Sequence, residues 1–373
     1  MGYKKGKKLL LAFASLIFSF IIFFAAAEIY LRHTLYSITA VKKPQENIFK
    51  SIIETEPEEL IMDTPLGRRL IPNARVTIRN HIGTKEDVLV ETNSLGFRDD
   101  EIPEEKGKEY RILVLGDSIT ISDGLPAEDT FVKRMQFHLN GESLTGDYRV
   151  INAGLGSLGT SEEINLLEEK GVKAEPDLVI LAFYLNDSRP EQGFAKETGS
   201  RGFIRSHSVF ADAVYRYFIL KNYLKYTGVD PFKWDEVFRK SKWYTRREDF
   251  IKLVEAADYD FGVAWQTDSW QIIDREFARL DEIAKREGFR VVVVGFPVVF
   301  QVVADFLEDT PQKLLEKYSG KYGFYYYDLL PKLRENKDID MFYDHAHPNR
   351  EGSRIIGNVI AEFLTSQVLP ELK

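Results

Sequence analysis

The chain has 373 residues, 44% of them hydrophobic and 13% aromatic, which is enough apolar material for one large core or two modest ones and lies outside the composition of a disordered chain. Its formal charge of -8 comes from interspersed acidic and basic residues with no basic stripe to follow a phosphate backbone, so no nucleic acid is expected as a partner. There is no cysteine, which excludes disulfides, a thiolate nucleophile and lipidation of a cysteine.

In chain order, Lys4, Lys5, Lys7 and Lys8 precede an uncharged run from Leu9 to Ala27 that Glu28 and Arg32 close. As a helix rising ~1.5 Å per residue the run is about 28 Å long, close to a hydrocarbon core, and the leading lysines favour a cytoplasmic N-terminus. Residues 1–32 are therefore expected to be a cytoplasmic tip and a transmembrane anchor that meets the membrane through residues 9–27. The rest would be extracytoplasmic in a single-pass protein. The competing reading is a cleaved leader ending near Ala25-Ala26-Ala27.

Residues 33–108 form a connecting region with a small β accessory layer, marked by the strand-like runs Arg75–Ile78 and Val88–Val90 on either side of a turn at Gly83. From Tyr110 onward short apolar strands alternate with amphipathic helices, the pattern of a parallel sheet covered on both faces. The predicted strands are Ile112–Leu115, Val150–Asn152, Leu178–Phe183, Val291–Gly295 and Tyr325–Asp328. Phe131, Met135 and Leu139 share a helical face, as do Ile273, Phe277, Leu280 and Ala284, and Ile355, Val359 and Phe363. Thr160 with Glu163 predicts a capping box, and Asn349 a cap for the last helix.

Within this domain of residues 109–373, roughly 80 residues separate the third strand from the helix beginning near Thr267, against ~2–6 in an ordinary connection, so residues 188–265 are a predicted helical insertion. All four tryptophans, Trp234, Trp243, Trp265 and Trp270, fall in or beside it, with Tyr215, Tyr217, Phe218, Tyr223 and Phe238. They make either the core of a small helical subdomain or a lid over a substrate cleft.

Ligands of an open α/β sheet bind beyond the carboxyl ends of its strands. There the sequence puts Gly116-Asp117-Ser118-Ile119 after the first strand, Asn152 to Ser157 after the second and Asn186-Asp187 after the third. Phe296-Pro297 follows the fourth strand, and Asp344-His345-Ala346-His347 comes shortly after the fifth. A hydroxyl, an imidazole, a carboxylate and several amide donors are the parts of an acyl-transfer site. His347 can take the proton of Ser118, and Asp344 can fix the imidazole tautomer. The Ser118 amide, an amide in the turn from Gly154 to Ser157 and the Asn186 side chain are candidate oxyanion donors.

These blocks, in this order over residues 110 to about 366, resemble the SGNH or GDSL hydrolase superfamily. The resemblance implies a flavodoxin-like three-layer α/β/α fold with a five-stranded parallel sheet. It makes Ser118 the nucleophile, His347 the base, Asp344 its partner and Asn186 an oxyanion donor, with Ser157, Gly156 or Gly154 supplying another. Tyr184 and Ser157 stand where the family carries glycines. The leader followed by Thr92-Asn93-Ser94-Leu95-Gly96-Phe97-Arg98 and then the GDSI block is similar to anchored bacterial members.

Gly154-Leu155-Gly156-Ser157-Leu158-Gly159 is a literal dinucleotide fingerprint, but it follows the second strand, and the acidic residue Asp177 precedes the following strand where a ribose-binding acid would follow it. His345, His347 and Asp344 do not complete a usual zinc ligand set, and no Walker, HExxH or GxSxG sequence is present. No cofactor or metal is expected. The reading is a serine hydrolase acting on ester-linked acyl groups of a small-molecule, glycan or lipid substrate, O-acetyl on cell-surface glycans among them. The alternatives are an O-acyltransferase with the same triad and an inactive polysaccharide-binding module.

Overall fold

The computed structural model describes residues 59–188 and 243–372, apart from 82, 258, 259 and 336–338, together with 15–30 apart from 17 and 21, and residues 208, 210 and 214. The chain divides into two compact units, residues 1–54 with 197–221, and residues 55–196 with 222–373. In the first, the described residues between 15 and 30 are helical. The Glu28 carboxylate accepts from the Ser208 hydroxyl and the Phe210 amide, both at 2.9 Å, and Phe24 meets Phe210 edge-on. Leu16, Phe18, Phe20, Ile22 and Phe23 of this segment are exposed. Among the described residues no helix is long and apolar enough to cross a membrane. The first fourteen residues, and with them the start of the predicted 9–27 anchor, lie outside the described residues, as do Tyr215, Tyr217, Phe218, Tyr223, Trp234 and Phe238 of the insertion.

The second unit opens with two hairpins, β1 (Ile61–Thr64) with β2 (Gly67–Leu70), and β3 (Arg75–Ile78) with β4 (Val88–Glu91). The first was not anticipated, because IMDT and GRRL carry too little alternation to read as strands. The main sheet follows as β5 (Tyr110–Gly116), β6 (Tyr148–Gly154), β7 (Leu178–Tyr184), β8 (Arg290–Phe296) and β9 (Tyr325–Asp328), each predicted strand being present, the last with its predicted bounds and the others longer by up to two residues at an end. All pairings are parallel, in the order β6-β5-β7-β8-β9. This is the flavodoxin-type order, and its direction reverses between β5 and β7.

Right-handed crossovers assign the helices to two layers. The helix α1 (Ser118–Ile121) follows β5, and α2 (Phe131–Leu139) packs on α9 (Arg350–Phe363). Across the sheet, α5 (Ser269–Glu287) packs against both α3 (Thr160–Glu169) and α7 (Thr310–Tyr322). Two layers of helix explain why β7 is buried along its whole length. The remaining helices are α4 (Arg247–Ala256), α6 (Val299–Val303) and α8 (Leu329–Arg334). Trp243 and Trp270 are buried and Trp265 is half-buried in the same core as the sheet, so the described end of the insertion is part of the α/β body. The predicted capping box differs. Gly159 is the N-cap of α3, its amide donates to Glu162, and the Thr160 hydroxyl donates instead to the Asp187 carbonyl. Asn349 caps α9 as expected, accepting from the Glu351 and Gly352 amides.

The hairpins share one core with the sheet through Leu70, Val88, Val90 and Phe97. Beside Phe97, the buried Asp99 accepts from Lys133 of α2 at 2.7 Å and from the Asn152 amide of β6 at 3.0 Å. Burial raises the Asp99 pKa, and Lys133 and the Asn152 amide only partly oppose it. Removing one member of a buried ion pair leaves an uncompensated charge, which costs about 3–5 kcal/mol. Lys133→Ala is therefore expected to lose about that much in denaturant unfolding of the full chain, and Lys133→Ala with Asp99→Leu to recover part of it.

Candidate active site

The nucleophile segment is built by close packing. Asp117 caps α1 by accepting from the Ile119 amide at 2.9 Å, which sets Ser118 at the first helical position, where an amide has no intrahelical acceptor. A side chain at Gly154 of β6 would drive its Cβ into the Ile121 nitrogen, and one at Gly116 would meet the Thr120 hydroxyl. Both glycines are thus needed for α1 to sit on the sheet, and Gly154, the first glycine of the fingerprint-like run, serves this packing. At the other end of α1, the buried Arg98 guanidinium donates to the Ile121, Ser122 and Leu125 carbonyls, each at 2.6 Å. Burial pulls its pKa down to about 10. The TNSLGFR segment therefore clamps the nucleophile turn from outside the sheet.

The imidazole comes from the loop between the short turn Ile339–Met341 and α9. A bridge between Phe342 and Pro348 pinches this loop, and Asp344 Oδ1 folds it by accepting from the Ala346 and His347 amides at 2.8 and 2.7 Å. Asp344 Oδ2 lies 2.7 Å from His347 Nδ1, and His347 Nε2 lies 2.8 Å from Ser118 Oγ. The ionised carboxylate can only accept, so Nδ1 carries a proton and Nε2 of the neutral ring is free to accept from the serine. Tyr343 stacks on His347, ring centroids 5.4 Å apart and 8° from parallel, and the buried His81 of the β3–β4 connection meets Tyr343 edge-on. Sequence reasoning missed Arg98 as a clamp and Tyr343 as a support. The first was visible only as a motif, and the second had no local signal.

Of the proposed oxyanion donors, Asn186 sits in the 3₁₀ turn Leu185–Ser188 after β7, across the point where the sheet order reverses. Asp187 shapes that turn by accepting from the Tyr184 amide at 2.7 Å. The Gly154 amide, also a candidate of that turn, donates to Asn152 Oδ1 at 3.0 Å. Ser157 has φ +63°, the left-handed conformation that a glycine adopts freely and a serine does not. His345 and His347 face different carboxylates, Asp260 and Asp344, at 2.7 Å each, so they do not converge on one point as metal ligands would. Among the described residues no group of three or more His, Asp or Glu could hold a metal ion.

Burial disfavours the charged form of both triad partners, yet their mutual attraction and hydrogen bond prevail. The His347 pKa is held up to about 9, with Asp117 and Asp123 adding to Asp344, and Asp344 is held well below the usual carboxylate range.

No family model matches this chain, and no curated protein matches it. Solved structures similar to it include an acetyl xylan esterase at 15% identity, covering 69% of this chain and 99% of its own, with a TM-score of 0.39. A two-domain esterase active on acetylated mannans matches at 16% identity, covering 71% of this chain and 51% of its own, with a TM-score of 0.39. A member of the lipolytic G-D-S-L family from Veillonella parvula matches at 17% identity, covering 69% and 98%, with a TM-score of 0.35.

Imidazole NMR of the full chain in detergent, with His347 assigned by His347→Gln, is expected to show a titration near pH 9. Asp344→Asn removes the charge that favours the imidazolium, so the titration is expected to fall toward or below the ordinary ~6.5. A midpoint that stays in place would contradict the electrostatic account.

Proposed function

We propose that this chain is a serine hydrolase of the SGNH type that cleaves ester-linked acyl groups through an acyl-enzyme. The observation that carries the reading is the unbroken relay of Ser118 Oγ, His347 and Asp344, with contacts of 2.8 and 2.7 Å. Ser118 Oγ attacks the ester carbonyl while His347 Nε2 takes its proton, and Asp344 stabilises the imidazolium that forms. The Ser118 amide, the Asn186 side chain and an amide of Gly156 or Ser157 receive the oxyanion. As the tetrahedral intermediate collapses, His347 returns the proton to the departing alcohol. Water then attacks the acyl-serine with His347 again as base, releasing the acid and regenerating the hydroxyl. No cofactor enters these steps.

The apolar run at 9–27 supports an anchor with the hydrolase unit on the outer face of the membrane, and the exposed apolar side chains from Leu16 to Phe23 accord with it. An enzyme so placed meets O-acyl groups of cell-surface glycans or glycolipids, which makes O-acetyl glycans the substrate class to try first. The same triad would serve an acyltransferase if a sugar hydroxyl replaced water in the second step.

Treating the detergent-solubilised full chain with a fluorophosphonate probe is expected to give one adduct by intact mass, absent in Ser118→Ala and His347→Ala. No adduct on a folded protein would refute the activated serine and favour a binding module. Because the base must be neutral, kcat/KM for an acetyl ester is expected to fall about tenfold per pH unit below about 9. A rate flat from pH 6 to 9 with chemistry limiting would sink His347 as the base. Acetate release from an acetylated glycan tests the substrate class, and activity confined to long acyl esters would exclude it.

A further inference from the structure

A second chain of hydrogen bonds runs beside the triad, and the proposed reaction uses only its Asn186 end. The Asn186 amide nitrogen donates to Asp260 Oδ1 at 3.1 Å, and His345 Nε2 lies 2.7 Å from Asp260 Oδ2. Asn186 belongs to the turn after β7, Asp260 immediately precedes the 3₁₀ stretch Phe261–Trp265, and His345 lies two positions before His347 in the pinched loop. One short loop thus supplies two imidazoles, each held by its own carboxylate. The side chains of His345 and Asp260 are only 18% and 15% exposed, so both groups depend on partners rather than on water.

The chemistry of the pair fixes the orientation of the amide. An ionised carboxylate only accepts, so the Asn186 group facing Asp260 is the nitrogen. Its oxygen is turned away, buried and without a hydrogen-bond partner among the described residues. Orphaning a buried carbonyl costs on the order of 1–3 kcal/mol, and such a cost persists only where something imposes the orientation. Here the opposite orientation would set the amide oxygen against a carboxylate. An amide nitrogen carries two hydrogens, and Asp260 takes one, which leaves the other for a substrate oxygen.

We propose that Asp260 and His345 are positioning residues, which aim the Asn186 nitrogen at the developing oxyanion, His345 holding Asp260 and Asp260 holding Asn186. The inference rests on the serine-hydrolase reading and deepens it. It gives His345 a role that requires neither a metal nor contact with substrate.

A double-mutant cycle on the full chain in detergent, with p-nitrophenyl acetate as the probe substrate, tests it. Asn186→Ala is expected to lower kcat about 100–1000-fold with KM changed less than threefold, the usual cost of one oxyanion donor. The isosteric Asp260→Asn, which no longer dictates the amide orientation, is expected to lower kcat about 10–100-fold, again with little change in KM. The double variant is expected to be no slower than Asn186→Ala alone, because a residue that acts only through Asn186 has nothing left to position. Losses that multiply, or an Asp260→Asn enzyme as fast as the parent, would overturn the proposal. Should Asp260→Asn fail to fold by circular dichroism, His345→Gln in the same cycle decides it by the same criterion. Ser118→Ala separates the two levels: turnover that survives it refutes the hydrolase reading and the inference together, whereas turnover lost there with a multiplicative Asp260 effect refutes the inference alone.

Discussion

The carboxylate of Asp344 accepts three hydrogen bonds, two from backbone amides of its own loop and one from the His347 ring. Folding the loop and orienting the base are therefore one event. The three-residue spacing follows from this geometry, since one oxygen can take the amides two and three residues on only in a tight turn, and the other oxygen is then left facing the ring. The same charge that shapes the turn sets the protonation behaviour of the imidazole, so local structure and reactivity have a common cause.

Everything else at the site brings the serine to that ring. The sheet order reverses between β5 and β7, opening the crevice into which α1 projects, and two glycines let α1 lie against the strands. Arg98 then seizes three carbonyls of the turn that leaves α1. Three charge-assisted bonds from one rigid fork constrain that turn more tightly than apolar packing could, because they specify direction as well as contact. The hairpins that precede the sheet thus belong to the site's foundations, and His81 behind Tyr343 extends the same support to the base.

What could be read in the sequence and what could not divides along sequence distance. The five strands were legible because a parallel strand covered on both faces is a continuous apolar run, as in LVILAFY of β7. The grouping of Ser118, His347 and Asp344 was legible because Ser118 follows a strand end and the other two lie three residues apart. The β1–β2 hairpin was not, since Arg69, a charge by sequence, is buried against Glu169 of α3, a contact 100 residues away. The pairing of His345 with Asp260 spans 85 residues, and no local pattern announces it. The box read at Thr160 gave way because its hydroxyl found a carbonyl on the turn after β7, a tertiary bond that propensity does not anticipate.

The serine and its base are 229 residues apart in the chain. At a synthesis rate of ~5–20 residues per second, Ser118 emerges on the order of ten to fifty seconds before His347 has been made. Through that interval the hydroxyl has no base and is as inert as any other serine, whatever esters surround it. On the proposed reading, reactivity is thus withheld until His347 has been made, and a chain interrupted before it carries a serine with no base.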